Sequence, residues 1–304
     1  MINSDITSKI ENYLKIRITK TEIPPQGMDS NIFLITDNTG KEYAVKLSKS
    51  TLSEKLVYEL LAKHNIDIPL PKLIYSFTYK NMQIIVLEKV NFPLLDSIPT
   101  DQIYKYIPSM IENLKKVHQV KSDQAGFIAS TSKDKTWKEL LLTLFNNNQE
   151  SLNWNEIVLR NSLDQDLVTQ SVKNIVKKIK ITKFTDTNYS LLHTDFNQRN
   201  LFVNPNSNDI TGIIDWAESM FGDPIYDFAR VRMLIWHFEI EDQILKEYYQ
   251  LLSFSPKKRE LEELYWVIRI IEYLAYYSED LNEFNKGRID LHQNFLKTYD
   301  WKLN

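Results

Sequence analysis

The hydrophobic period of this chain changes once, near residue 100, and that change restricts the fold more than any other feature. Before it, apolar residues form short extended runs. Residues 31–36 (NIFLIT) and 42–48 (EYAVKLS) flank the turn-forming Asp37-Asn38-Thr39-Gly40, the pattern of an antiparallel hairpin. From Thr51 to about His64, Leu52, Leu56, Leu60 and Leu61 recur at helical spacing, with Thr51 or Ser53 available as a cap. Residues 68–79 (IPLPKLIYSFTY) resume extended structure after their prolines, and 82–90 (MQIIVLEKV) read as a buried strand. Residues 1–20 carry a helix-like spacing. From about Asp101 long helices are expected over 101–120, 136–150, 164–181 and most of 224–304, interrupted by the short strands NLFVN and TGIIDW. The expectation is a bilobal α+β chain, with a small β-rich lobe over 1–90 and a large helical lobe over 91–304. The seam falls near Glu88–Phe92, and a cleft between lobes is the default ligand site.

Composition removes several chemistries. The 304 residues contain no Cys, which excludes disulfides, Cys-zinc sites, iron–sulfur clusters and thiol nucleophiles. A formal net charge of -3 disfavours a broad basic face for duplex nucleic acid. No run reaches the roughly 18 uncharged apolar residues of a membrane span. The first 20 residues mix charges with isolated apolar positions and lack an apolar signal core, so a cytoplasmic protein is expected. There is no internal repeat. The expected partner is a small hydroxylated molecule, with no nucleic acid and no membrane; oligomeric state is left open.

The stretch 191–229 carries the chemistry. His193, Asp195 and Asn200 form H-x-D-x-x-x-x-N, and Asp215 ends an apolar strand fifteen residues later. Phosphoryl transfer asks for this set: a carboxylate to orient and deprotonate an acceptor hydroxyl, and oxygen ligands for Mg²⁺. Lys46, in the strand YAVKL, could contact phosphates, and needs a carboxylate to hold it; Glu54 is the first choice and Glu59 the reserve. Main-chain groups from Glu88 to Val90 could bind the nucleotide base. His193 reads as an orienting residue, and Asp223 and Asp227 as helix braces. Trp236, Tyr248, Tyr249, Trp266 and Tyr273 read as core. His64, His118, His237 and His292 read as scattered, with no metal-ligand pair.

The order Lys46, Glu54, His193-x-Asp195-x-x-x-x-Asn200, Ile214-Asp215-Trp216, then Gly222-Asp223-Pro224-x-x-Asp227-x-Ala229, resembles the aminoglycoside phosphotransferase family, whose fold is protein-kinase-like. The resemblance implies Asp195 as catalytic base, Asn200 and Asp215 as Mg²⁺ ligands, Lys46 as phosphate contact, and ATP or GTP as donor. A kinase-type glycine loop is missing. Only Gly27 stands there, and Ser30 and Asn31 resemble the family's usual loop residues. The runs Ile214–Asp223, with Met220-Phe221-Gly222-Asp223, and Glu283–Asp290, with Lys286-Gly287-Arg288, are similar to the family members that act on hygromycin B. An aminoglycoside acceptor implies acidic lining, for which Glu218, Glu239, Glu272, Glu279 and Asp280 are the candidates. The alternatives are a kinase of the same fold for choline, homoserine, a methylthiosugar or a macrolide, and a non-catalytic pseudokinase.

Overall fold

A five-stranded antiparallel sheet organises the N-terminal part of the computed structural model, in the order β1-β2-β3-β5-β4. The structure describes residues 4–24, 31–48, 51–129, 136–145, 153–185, 187–237 and 242–301. The strands are β1 (Ile18–Glu22), β2 (Asn31–Asp37), β3 (Glu42–Ser48), β4 (Leu73–Tyr79) and β5 (Met82–Glu88). The chain divides into two units. The first comprises Met1–Val120, Phe127–Ala129 and His193–Met220, and the second Lys121–Gly126, Ser130–Leu192 and Phe221–Asn304.

In the first unit the expected hairpin is present. β2 and β3 pair from Asn31↔Leu47 to Thr36↔Glu42. Asp37 builds the turn: its Oδ1 accepts from the Thr39 amide (2.8 Å), the Thr39 hydroxyl (2.6 Å) and the Lys41 amide (3.0 Å). Gly40 has φ of 84°, a conformation in which a Cβ is costly. The second hairpin, β4 to β5, turns through Lys80 and Asn81, both at positive φ. Helix α1 (Ser4–Leu14) lays Ile6 and Ile10 against Phe33, Ile35, Val45, Ile84 and Val86, closing one core.

Two expectations are corrected here. The helical spacing of residues 1–20 stops at Leu14; Lys15 turns at φ of 55° and Ile18–Glu22 becomes an edge strand on β2. Ile18, Thr19 and Thr21 are β-branched, and sheet pairing overrides a weak helical pattern. The helix expected over 101–120 is a 3-10 stretch, Thr100–Tyr106, followed by α3 (Ile107–Val117). Pro108 sits in the first turn of α3, the helical position that tolerates proline, and so marks a start rather than an interior. Helix α2 (Thr51–Lys63) and an antiparallel strand pair, Leu201–Asn204 with Asp209–Ile213, complete this unit's main elements.

The second unit is helical, with Trp137–Thr143, Gln165–Ile181, Ile225–His237, Asp242–Leu252, Pro256–Tyr277 and Glu283–Thr298 as its main segments. Side-chain caps at Thr136, Asp164, Ser255 and Asn282 satisfy helix N-termini. Its core carries a buried relay: Trp137 Nε1 donates to the Tyr265 hydroxyl (2.7 Å), which donates to Asp223 Oδ2 (3.0 Å). Tyr248 and Trp266 are buried, as expected for core aromatics. The histidines are less scattered than expected, because His237 and His292, 55 residues apart, bring their Nε2 atoms to 3.3 Å. The helix expected over 136–150 runs Trp137–Thr143 and ends at Leu144, its C-cap; 146–152 lie outside the described residues. No described helix is long and apolar enough to cross a membrane.

Candidate functional site

Lys46, Glu54, Asp195, Asn200 and Asp215 all lie in the first unit. Lys46 faces Ile32 across the β2–β3 register and Ile85 across β3–β5, so both flanking strands fix its backbone. Its side chain is buried, and Nζ bridges two carboxylates: Glu54 Oε2 at 2.8 Å and Asp215 Oδ1 at 2.7 Å. Glu54, in the first turn of α2, is only 1% exposed. Glu59 instead meets Lys55, at 3.5 Å on the surface. Burial pushes the Lys46 ammonium down, but the charges of Glu54 and Asp215 outweigh it and the net shift is upward. Burial raises the Glu54 carboxyl, opposed by Lys46 and by a hydrogen bond from the Asp215 main-chain amide. The ammonium therefore stays charged, held between a buried acid and a half-buried one.

The second group is a tight loop. Asn200 Nδ2 donates to both the main-chain carbonyl and Oδ2 of Asp195, each at 2.9 Å. Both partners are acceptors, so the nitrogen of Asn200 must face Asp195 and its amide oxygen faces away. Asn197 Nδ2 donates to Asp195 Oδ1 at 2.8 Å. The loop is joined to the Asp215 segment by main chain, since the Ile214 amide donates to the Asn200 carbonyl at 3.0 Å. His193, fully buried, ties the same strand end from the other side, its Nε2–H donating to the Ile214 carbonyl at 3.0 Å. Thr194 Oγ1 donates to the Glu218 carbonyl at 3.1 Å. Thr194 and Asp215 both sit at positive φ, 69° and 66°. Such backbone costs about 1–3 kcal/mol per residue and persists only where surrounding contacts over-determine it. Here the His193, Thr194 and Asn200 bonds do so.

Asp195, Asn200, Asp215, Lys46 and Glu54 are thus one connected set. Asn31 opens β2, exposed, and its register partner Leu47 follows Lys46. Ser30 and Glu239 lie outside the described residues. Glu88 is exposed at the end of β5, with its amide given to the Lys72 carbonyl (2.9 Å) and its carboxylate 3.6 Å from Lys41; Val90 is partly buried. Three of the acids expected around an acceptor have local partners. The Glu218 side chain is exposed, Glu272 accepts from Arg269 at 3.0 Å, Glu279 lies 3.7 Å from Arg160, and Asp280 accepts from Asn282 at 3.0 Å. Asn197 escaped the sequence reading. Its signal was an Asx turn, Oδ1 accepting from the Arg199 amide two residues on at 2.8 Å.

Among the described residues no three His, Asp or Glu side chains gather so as to hold a metal by themselves. The Asn200 amide and Asp215 carboxylate are hard oxygen donors of the kind Mg²⁺ takes. With so few protein ligands, phosphate and water would have to complete its shell, as in nucleotide sites.

A family model described as "phosphotransferase enzyme family" matches residues 20–264. No curated protein matches the chain by sequence. Among solved structures, a thermostable mutant of aminoglycoside phosphotransferase APH(4)-Ia in complex with ADP and hygromycin B is similar at TM-score 0.73 and 15% identity, covering 98% of this chain and 100% of that one. Spectinomycin phosphotransferase APH(9)-Ia follows at 0.64 and 18%, covering 99% and 95%. APH(2")-IIIa, bound to GDP and kanamycin, stands at 0.65 and 16%, covering 97% and 98%. The likeness to the hygromycin B type expected from Ile214–Asp223 is matched at the level of the fold. The α+β architecture is that of the kinase-like aminoglycoside phosphotransferases, and the chain belongs to the phosphotransferase enzyme family.

Proposed function

We propose that this protein transfers the γ-phosphoryl group of ATP or GTP to a hydroxyl of an aminoglycoside-type antibiotic, inactivating it and so conferring resistance. The observation that carries the reading is the connected set just described: a carboxylate clamped on a tight loop, joined by main chain to the Asp215 that pairs with Lys46. Asp195 is the general base for the acceptor hydroxyl. Asn200 and Asp215 hold Mg²⁺, which neutralises phosphate charge when bound. Lys46, positioned by Glu54, contacts the α- and β-phosphates. Residues 1–90 serve the nucleotide, with Ser30 and Asn31 near the phosphates and the main chain of Glu88–Val90 at the base. Within that segment the Glu88 amide is already given to the Lys72 carbonyl and the Lys89 amide to the Glu42 carbonyl. Residues 91–304 supply the catalytic loop and the acceptor site. The fold-level likeness to enzymes bound to hygromycin B and kanamycin supports an aminocyclitol acceptor.

A second reading, a macrolide or metabolite kinase, draws on one observation: Glu272 is already paired with Arg269, and Glu279 and Asp280 are exposed. A nucleotide-consumption screen separates the two. ATP and GTP are each tested with Mg²⁺ against hygromycin B, spectinomycin, kanamycin, a macrolide, choline and homoserine. The product is identified by mass as one phosphoryl group heavier. Turnover with an aminoglycoside is expected. Turnover confined to a macrolide or metabolite would replace the first reading by the second.

A further inference from the structure

We infer that Asn197 is a positioning residue for phosphoryl transfer, holding the Asp195 carboxylate in the plane from which it meets the acceptor hydroxyl. The inference rests on the reading of Asp195 as the base. The terminal torsion of an Asp side chain is broad and roughly two-fold, so a carboxylate anchored through one oxygen can still swing about Cβ–Cγ. Asp195 is anchored through both. Asn200 Nδ2 holds Oδ2 at 2.9 Å, and Asn197 Nδ2 holds Oδ1 at 2.8 Å.

The direction of the Asn197 amide is fixed by its other end. Oδ1 accepts from the Arg199 main-chain amide at 2.8 Å, a group that can only donate, so Nδ2 must face Asp195. Nδ2 also reaches the Asp195 carbonyl at 3.2 Å, and the Asn197 main-chain amide donates to that same carbonyl at 2.9 Å. The loop thus closes on itself around residue 195. Asn200 has a second task in the proposed mechanism, as a cation ligand. Asn197 has none, and is the anchor devoted to the base. A carboxylate offers about four lone-pair sites, more than the Asn197 and Asn200 amides take up. Both amides are neutral, so what Asn197 supplies is direction rather than charge.

The test uses the full chain and the acceptor found in the screen. Asn197→Ala should lower kcat about 10–100-fold, the scale set by displacing a reacting group by about 1 Å. KM for Mg·nucleotide and acceptor should stay within about threefold, because ground-state binding is untouched. Asn197→Asp keeps the oxygen that accepts from Arg199 but lacks the donor, and should lose at least as much. In an Asp195→Ala background, Asn197→Ala should change nothing further, since its effect passes through the missing carboxylate. Crystal structures of wild type and Asn197→Ala give a readout that needs no acceptor: the Asp195 carboxylate plane should rotate. An unrotated plane overturns the inference, as does kcat within about twofold of wild type, or a loss that persists in the Asp195→Ala background. Inactive Asp195→Ala with fast Asn197→Ala defeats this inference alone; active Asp195→Ala defeats the base reading as well.

Discussion

Replacing Glu54 by Gln isolates the buried ion pair that holds Lys46. The change is isosteric and removes one charge from a carboxylate 1% exposed and 2.8 Å from Lys46 Nζ. At an effective dielectric near 20, two charges at that distance attract by about 6 kcal/mol before desolvation is subtracted. At the Glu54 carboxyl, burial, with the like charge of Asp215, outweighs the pull of Lys46, and the net shift is upward. Removing one partner of a buried pair costs about 3–5 kcal/mol, because the other charge loses its counterion. Lys46 keeps Asp215 at 2.7 Å, so the lower end, about 3 kcal/mol, is expected. Glu59→Gln is the control. Its partner Lys55 is at 3.5 Å on the surface, and such an i,i+4 pair contributes about 0.3–0.5 kcal/mol. Urea unfolding of both variants at pH 7 gives the comparison directly. With Glu54 gone, Lys46 should also lean wholly on Asp215, and phosphoryl transfer should fall with it. An Glu54→Gln protein as stable as Glu59→Gln would refute the reasoning.

Three further outcomes follow from the same geometry. Burial, then their mutual charge and the nearby Arg288, hold His237 down to about 2, and burial holds His292 down to about 4. Unfolded histidines titrate near 6.5, so below that pH the unfolded chain binds protons the folded pair refuses. Stability present above pH 6.5 is lost as pH falls, by about 2 kcal/mol per ring at pH 5. Urea unfolding of wild type and of a His237→Asn, His292→Gln variant at pH 7 and pH 5 measures it, and equal pH dependence would count against it. Asp215→Ala should abolish the Mg²⁺ response of nucleotide turnover while Asn200→Ala only weakens it, since a carboxylate brings a full charge and an amide a dipole; a Mg²⁺ titration of each variant decides. A Cβ at Gly222 would lie 2.7 Å from Trp137 Cε3 and 2.8 Å from Leu192 Cδ1. Gly222→Ala should therefore cost about 1–3 kcal/mol by overpacking, read as a lower urea midpoint.

What was legible in the sequence was what is local. The Asp37–Gly40 turn, the β2–β3 hairpin and the H-x-D-x-x-x-x-N loop are each encoded within a few residues, by side chains that bond their own neighbours. The Lys46–Glu54 pair was readable because a strand and the following helix lie close in sequence. Edge strand β1 was hidden because its pattern is weak and its partner supplies the order. The His237–His292 contact left no trace at all, since it arises from two helices whose meeting no short-range period records. Asn197 went unread, because its bond to the carboxylate depends on the loop's closure around residue 195.

On the proposed reading, Asp195 serves phosphoryl transfer to a hydroxyl on this fold. Single-turnover transfer of a labelled γ-phosphoryl group, from Mg·ATP or Mg·GTP to hygromycin B or another accepted aminoglycoside, tests it most directly in wild type and Asp195→Ala. Both proteins should bind nucleotide alike, and the variant should transfer about 10²–10⁴ times more slowly. Equal transfer rates in the two would contradict the account.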